Sequence, residues 1–259
     1  MAVPLAAIPS RKTGGVTIAF HSPGPTPNGL QATPEGLWIL DAGDNRAYLV
    51  QYQDGKALRS IQTEAQTGSG ITYGGGSVWV ANTPSRTILR IDPMTGKTLQ
   101  RYATPGAGVS YRMVGDPPAR RSPLETSAPS RSGGRGRPAA GPGEAPGTGA
   151  NGLEWQDGKI WMAVPPARQV FCVDPASGIV QSRFNTVGNR AHGLGWEGKW
   201  LWVTDSNLNG FVKHDITTGE PLEKIQLGDK DPLPHGMTIW QGVLWYCDEV
   251  GVVCRLNLA

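Results

Sequence analysis

The sequence predicts an all-β fold, a five-bladed β-propeller closed by a strand exchanged between the chain ends. Two observations predict it. An aliphatic residue followed by Trp recurs at Trp38, Trp79, Trp161, Trp202 and Trp245, with spacings of 41, 82, 41 and 43 residues. Each copy begins, eight to ten residues upstream, with a polar residue and a glycine. A period near forty residues is typical of propellers built from four-stranded blades.

The composition agrees with a single β domain. The chain has 259 residues, with 36 Gly, 22 Pro and 38% hydrophobic residues. Short strands joined by many turns give this balance, and a helical bundle does not. The formal charge of +3 is small and gives no general case for a nucleic-acid partner or a membrane surface. No apolar run reaches the eighteen residues of a membrane span.

The N-terminal residues show no basic start followed by an apolar run, so the sequence predicts no secretory signal. We therefore expect a cytoplasmic protein; the alternative is a secreted protein whose signal peptide has been removed from this sequence.

Within each repeat the pattern predicts four strands, A to D. Strand A begins at the glycine, a tight turn follows, and strand B carries the Trp. Strand C alternates apolar and polar residues and ends at an Asp, which opens a turn closed by Gly. Asp bonds its own turn and Gly takes the left-handed position. These turns span 92–96, 174–178 and 215–219, and the strands D that follow span 99–102, 180–184 and 222–225.

The last repeat stops after strand C, at residues 256–259. The missing strand D is available at the other end of the chain, in Val16–Phe20. An N-terminal strand that completes the C-terminal blade closes the ring and removes two exposed sheet edges.

The gap of 82 residues is twice the period, so a sixth, degraded blade is the alternative. Residues 127–148 lack aliphatic or aromatic alternation and are dominated by Gly, Pro, Ala and Arg. Such a stretch buries too little apolar surface to fold alone. We interpret 105–150 as a long Gly/Pro/Arg-rich insertion, in which only Val109–Val114 packs. Arg131–Arg137 resembles an RNA-binding RGG tract but is more typical of a solvated loop.

The predicted topology brings one polar residue of each blade to a ring around the axis. The residue three positions after each Trp is predicted to lie beside this ring. The insertion is predicted to emerge on the same face as a lid-like loop. Long loops on one face of a rigid scaffold commonly carry function. The ring is Asn28, Ser69, Asn151, His192 and His235, and its predicted neighbours are Asp41, Asn82, Asp205 and Asp248.

These residue types support two kinds of chemistry. Two imidazoles and nearby oxygen donors suit a divalent metal such as Ca²⁺, Mg²⁺, Mn²⁺ or Zn²⁺; the predicted ligands are His192, His235, Asn151 and Asn28. Without a metal, a histidine oriented by an Asp serves as a general base. The predicted catalytic residues are His192, His235, Asp205 and Asp248. The predicted substrate contacts are Asp41, Asn82, Ser69, Tyr111 and Arg112.

A purely structural interpretation stays open for each ring residue, since a polar residue at a blade corner often only satisfies backbone groups. The variation favours a site: the ring reads Asn, Ser, Asn, His, His, whereas a structural device tends to repeat one residue type. His214 aligns with apolar residues and is predicted to be structural.

The repeats, with G-[LI] starts, [LIV]-W phrases and D-P-x-[TS]-G turns, resemble the YVTN/NHL-like superfamily, which includes streptogramin B lyase-like and, more distantly, SMP-30/gluconolactonase-like propellers. The lyase resemblance rests on His192-Gly193 and His235-Gly236. It implies a divalent metal and a histidine base, His192 or His235, that opens a cyclic ester by elimination. Here, however, five blades replace seven, and no glutamate clearly matches the lyases' metal site. The lactonases bind Ca²⁺ through Asn, Asp and Glu side chains at the axis of a six-bladed propeller. Asn28, Asn151 and Asp205 match these ligands only in residue type.

The leading hypothesis is a metal-assisted hydrolase or lyase that acts on a small-molecule ester, lactone or phosphoester at the axis. The alternative is a non-catalytic propeller that binds a ligand or a protein.

Overall fold

The computed structural model describes residues 4–125 and 148–258. It contains five four-stranded antiparallel sheets, and the predicted five-bladed propeller is confirmed. In chain order the first two blades are β2 (Pro27–Thr33), β3 (Gly36–Asp41), β4 (Arg46–Val50) and β5 (Ala57–Gln62), then β6 (Ile71–Gly74), β7 (Ser77–Asn82), β8 (Thr87–Ile91) and β9 (Thr98–Ala103).

The third and fourth blades follow the segment that joins β9 to β10. They comprise β10 (Gly152–Gln156), β11 (Lys159–Val164), β12 (Gln169–Val173) and β13 (Val180–Asn185), then β14 (Ala191–Glu197), β15 (Trp200–Asp205), β16 (Gly210–His214) and β17 (Pro221–Gln226). Two short 3₁₀ helices lie at Leu5–Ala7 and Pro165–Ala167. No helix in the described parts of the chain is both long and apolar enough to cross a membrane.

The fifth blade is assembled from both ends of the chain, as predicted. Its strands are β18 (Met237–Trp240), β19 (Val243–Asp248) and β20 (Val252–Asn257), with β1 (Thr17–His21) as the outer strand. Thr17 lies opposite Arg255 and His21 opposite Val252. The N-terminal strand therefore covers the edge of β20 that would otherwise stay unpaired.

The packing explains the repeated Trp and the repeated turn. Each Trp of strand B is buried, and the blades stack through such residues into continuous apolar clusters. Large rings supply the apolar contact area that thin sheets need. In the turn after β8, the Asp92 carboxylate accepts the N–H groups of Met94 and Thr95, both at 2.9 Å, and Gly96 has a φ of 75°. Asp174 and Asp215 bond the equivalent turns in the same way.

The chain start also fastens the fourth blade. Residues 9–11 run beside β17, where the N–H of Arg11 donates to the carbonyl of Lys224 at 2.8 Å. The Arg11 guanidinium pairs with Glu197 at 2.6 Å and with Glu223 at 2.7 Å. The N-terminal arm thus joins blade four to blade five before it completes the ring.

We expect Arg11→Ala to lower the free energy of unfolding by about 1–2 kcal/mol, since two partly buried carboxylates lose charge-assisted hydrogen bonds. Urea denaturation of this variant beside Lys12→Ala, an exposed neighbour, checks it. Equal urea midpoints for the two variants would contradict the role of the arm.

Candidate functional site at the propeller axis

Close contact between neighbouring strands A creates the axis. Five glycines, one at the start of each strand, pack against one another in a closed circle: Gly29, Gly70, Gly152, Gly193 and Gly236. A Cβ on Gly29 would lie 2.5 Å from the carbonyl oxygen of Ser69, and one on Gly236 would lie 2.6 Å from that of Asn28. The glycine of the repeated polar-Gly pair is therefore required for this approach.

The polar residues that precede these glycines form the axial ring, which comprises Asn28, Ser69, Asn151, His192 and His235. His192 and His235 are buried, and their imidazoles meet edge to face with ring centroids 4.8 Å apart. The Asn151 amide nitrogen lies 3.4 Å from Nε2 of His192. The structure thus brings residues from neighbouring blades, about forty positions apart in sequence, into one cluster.

Two further charged residues, Glu249 and Arg190, complete this cluster. Glu249, in the turn after β19, places Oε1 3.1 Å from Nε2 of His235. Arg190, just before β14, places Nη2 3.4 Å from the same nitrogen and 4.0 Å from Oε1 of Glu249. Neither residue was predicted from the sequence. Their positions in the sequence could have indicated them: Glu249 directly follows Asp248, and Arg190 lies two residues before His192.

Burial keeps both ring histidines neutral near pH 7. It lowers the pKa of His235 to about 4, and the Glu249 charge offsets only part of this effect. Burial, the neighbouring His235 and the positive charge of Arg190 hold the pKa of His192 well below its usual value. A neutral imidazole has a nitrogen lone pair free to accept a proton or to bind a metal.

Several buried polar atoms of the axial ring have no hydrogen-bond partner among the described residues. They are Oδ1 of Asn28, Oγ of Ser69, Nδ1 of His192 and Nδ1 of His235. Unpartnered buried polar groups are rare in folded proteins, because each carries a desolvation cost. Four such atoms on one ring point to a bound group or solvent at the axis.

The four predicted neighbours of the ring mainly hold backbone. Asp41 accepts N–H groups from Thr26, Gly43 and Asp44, and Asn82 accepts that of Gln66. Asp205 accepts the N–H of Arg190 at 2.8 Å, besides two in its own turn. Burial raises the pKa of both aspartates, although these hydrogen bonds counteract it. Asp205 therefore touches the cluster through the backbone of Arg190.

Asp248 is held differently. Its Oδ2 accepts the N–H of Leu233 at 2.7 Å and the hydroxyl of Ser122 at 2.5 Å. Burial raises the pKa of Asp248 to about 6, against the effect of these hydrogen bonds. Asp248 is thus a tether for the segment that contains Ser122.

That segment, residues 104–125, is termed the strap. It contacts the end of strand B, or the loop that follows it, in three successive blades: Asp116 pairs with Arg168 at 2.6 Å, the N–H of Arg120 donates to Asn207 at 3.3 Å, and Ser122 reaches Asp248. These loops lie on the face that carries the axial ring. Most of the predicted insertion beyond the strap, including Arg131–Arg137, lies outside the described residues.

The expectation that Val109–Val114 packs is wrong for its large side chains. Tyr111 is 73% exposed, Met113 59%, and Val114 is also exposed. The strap is instead fixed through polar residues, which hydropathy alone does not identify. Tyr111 contributes its carbonyl oxygen to Arg168 at 3.0 Å, and the side chains of Tyr111 and Arg112 are exposed.

A second polar layer, the lower ring, lies two residues beyond each glycine. It comprises Gln31, Thr72, Glu154 and Thr238, with Gly195 at the fifth position. Thr72 donates to Gln31, and Thr238 lies 3.4 Å from Oε2 of Glu154. Glu154 is fully enclosed, and this burial raises its pKa to about 8. The sequence did contain a signal for this layer: polar residues recur two positions after the strand A glycine, where buried strands usually carry apolar residues.

The donor types of the axial ring fit a divalent metal in kind. His192 and Asn28 present the unpartnered atoms described above, and Asn151 and His235 lie beside them. Within residues 4–125 and 148–258, however, no cluster of three or more His, Cys, Asp or Glu side chains is arranged to hold a metal ion. A metal here would therefore depend on the asparagine oxygens and on water as well as imidazole.

Fold and site together define a five-bladed β-propeller with a paired-histidine cluster at one end of its axis. No protein-family profile and no curated protein matches the sequence. Glutaminyl cyclase from Myxococcus xanthus has a similar structure, with a TM-score of 0.65 and 8% identity over 96% of this chain and 98% of that one.

Two further similar structures are streptogramin lyases. One is a catalytically inactive histidine-to-alanine variant of virginiamycin B lyase from Staphylococcus aureus with quinupristin, at a TM-score of 0.50 and 19% identity over 90% of this chain. The other, a streptogramin B lyase, has a TM-score of 0.50 and 16% identity over 89% of this chain. This chain spans 66% and 64% of the two lyase chains. The expected resemblance to lyase-like propellers is thus confirmed at the level of fold.

Proposed function

We propose that this protein is an enzyme that hydrolyses or opens an ester, lactone or phosphoester bond of a small molecule at the axial ring, assisted by a divalent metal. The main support for this proposal is the pair formed by His235 and Glu249, whose Nε2 and Oε1 atoms are 3.1 Å apart. This pair lies beside His192. The similar folds of a lyase and a cyclase support an enzyme in general.

His235 is assigned as the general base. Its imidazole is neutral near pH 7 because burial lowers its pKa to about 4. In the neutral imidazole the Nε2–H donates to Oε1 of Glu249, which leaves the lone pair on Nδ1, an atom without a partner among the described residues. A proton taken up at Nδ1 from water or from a substrate carbon would give an imidazolium that the Glu249 carboxylate stabilises. Glu249 also restricts the orientation of the ring, which preserves the alignment of the base.

His192 lies against the edge of His235 and presents Nδ1 without a partner. An imidazole nitrogen that binds a metal cannot accept a proton, so the two histidines take different roles. His192, with Asn151 and Asn28, would hold the metal. A bound divalent ion polarises a carbonyl or phosphoryl oxygen and lowers the pKa of its water. Asp205 and Asp248 act behind this layer, by fixing Arg190 and the strap.

We expect His235→Asn to lower kcat/KM by at least about 100-fold, the usual contribution of a positioned base, with an unchanged fold. The assay is a panel of aryl esters, lactones and phosphodiesters, followed by far-UV circular dichroism of each variant. His214→Asn is the matched control, because His214 is equally buried but packs against Phe184 away from the axis.

The sign of the pH dependence follows from the pKa. As the pH falls toward about 4, His235 becomes protonated and can no longer accept a proton, so activity is expected to decline on the acid side. Activity that survives replacement of both His192 and His235 by Ala would refute this site. Elemental analysis of the wild type and the same double variant tests the metal, which is expected near stoichiometry only in the wild type.

The second candidate is a binding propeller without catalysis. The exposed Tyr111 and Met113 on the strap favour it, since adjacent exposed apolar side chains often contact a ligand or a partner. It predicts no turnover of any substrate on the panel and no bound metal.

A further inference from the structure

Arg190 differs from the other arginines near the strap. Arg168 forms two hydrogen bonds to Asp116, at 2.7 and 2.6 Å, and Arg120 pairs with Asp229 at 2.5 Å. The Arg190 guanidinium has one contact at 3.4 Å, to His235, and a distant carboxylate at 4.0 Å. At most one of its five N–H donors is therefore used among the described residues, whichever nitrogen of His235 carries the proton.

The position of Arg190 is nevertheless fixed. Its backbone N–H donates to the buried Asp205 at 2.8 Å, and its side chain is 32% exposed. A guanidinium on an anchored backbone, with unused donors beside a cluster of neutral imidazoles, is suited to bind an oxyanion. Arginine binds carboxylate and phosphate through two parallel hydrogen bonds.

The hydrogen-bond donors around the cluster also favour an anion. Arg190 places a positive potential on both imidazoles, and this potential is one of the causes that lower their pKa values. The Asn151 amide and the unpartnered hydroxyl of Ser69 supply further donors on the same ring. The opposing groups are the Glu249 carboxylate and Oδ1 of Asn28. Glu249 lies 4.0 Å from the guanidinium, too far for a hydrogen bond, so it leaves the Arg190 donors free while its charge partly offsets that of the arginine.

We propose that Arg190 recognises an anionic group of the substrate, a carboxylate or a phosphate, and holds it beside His192 and His235. The inference rests on the proposed function, since it places the substrate at the axial ring. It narrows the substrate class to esters, lactones or phosphoesters that carry a negative charge next to the reacting bond.

The test uses inorganic phosphate and acetate as probes, with chloride as the reference anion at constant ionic strength. Binding is followed by the imidazole NMR signals of His192 and His235 in the full-length wild type, Arg190→Gln, Arg190→Lys and Arg183→Gln. Arg183 is exposed on β13 and serves as the control. We expect at least one probe to shift these signals in the wild type and in Arg183→Gln. Its affinity should fall at least tenfold in Arg190→Gln and less in Arg190→Lys.

A preference for phosphate over acetate would identify a phosphoryl group, and the reverse a carboxylate. Equal affinities in the wild type and Arg190→Gln, or signals that neither probe moves, would overturn the inference. This outcome is separable from that of the proposed function. Turnover that depends on His235 without anion binding refutes only the role of Arg190, whereas anion binding through Arg190 without turnover refutes only the enzyme.

Discussion

Replacing Gly152 by Ala is expected to destabilise the propeller by about 3 kcal/mol or more, the upper end of what overpacking costs. The added Cβ would point into the carbonyl group of His192 on the next blade, far inside van der Waals contact. Backbone cannot move aside as a flexible side chain does. Blades three and four would separate at the axis, and the spacing of Asn151 and His192 would widen.

Urea denaturation measures this loss against Gly14→Ala, where an added Cβ meets no atom within 4 Å. The control is expected to change the free energy of unfolding by less than about 0.5 kcal/mol, as surface substitutions usually do. If Gly152→Ala unfolds at the same urea concentration as Gly14→Ala, the close approach of the five strands is wrong.

Glu154→Gln is expected to stabilise the protein at alkaline pH. Folding raises the pKa of Glu154 from 4.5 to about 8, so between these values the unfolded chain has released a proton that the folded chain retains. Wild-type stability therefore declines as the pH rises through this window, by roughly 3–5 kcal/mol in total at about 1.4 kcal/mol per pKa unit. Glutamine has nearly the same shape but no ionisable proton, so the variant does not lose stability in this pH window.

The measurement is the free energy of unfolding of wild type, Glu154→Gln and the exposed control Glu35→Gln at pH 5 and pH 8. The advantage of Glu154→Gln over the wild type is expected to be small at pH 5 and to grow by several kcal/mol at pH 8. Glu35→Gln is expected to show no such growth. A difference between Glu154→Gln and wild type that does not vary with pH would show that the carboxyl group is not desolvated by the lower ring.

The two predictions together describe how the axis is built. The glycine circle allows five strands to approach within backbone contact, and the lower ring fills the space below it with hydrogen-bonded side chains. A single ionisable group in that layer, Glu154, is costly to retain at alkaline pH. The axial ring above has several unpartnered polar atoms instead, and this difference is why we propose a functional site there.

The sequence by itself determined the fold because its signals are local and repeated. The Trp phrase defines strand B, the Asp–Gly turn defines the boundary between strands C and D, and a missing strand at one end matches a spare strand at the other. Each signal depends on a few adjacent residues, and the period of about forty carries it from blade to blade. The axial ring could be named for the same reason, since it occupies an equivalent place in every repeat.

The tertiary structure alone decided which side chains meet at the axis. Arg190 and Glu249 lie outside the repeated pattern, and their distances to His235 depend on how two blades tilt and how two loops turn. The path of the strap likewise depends on single polar contacts such as Ser122 with Asp248. A repeated pattern fixes the register within a blade. Contacts between blades arise from the closure of the ring, which joins residues that no local signal connects.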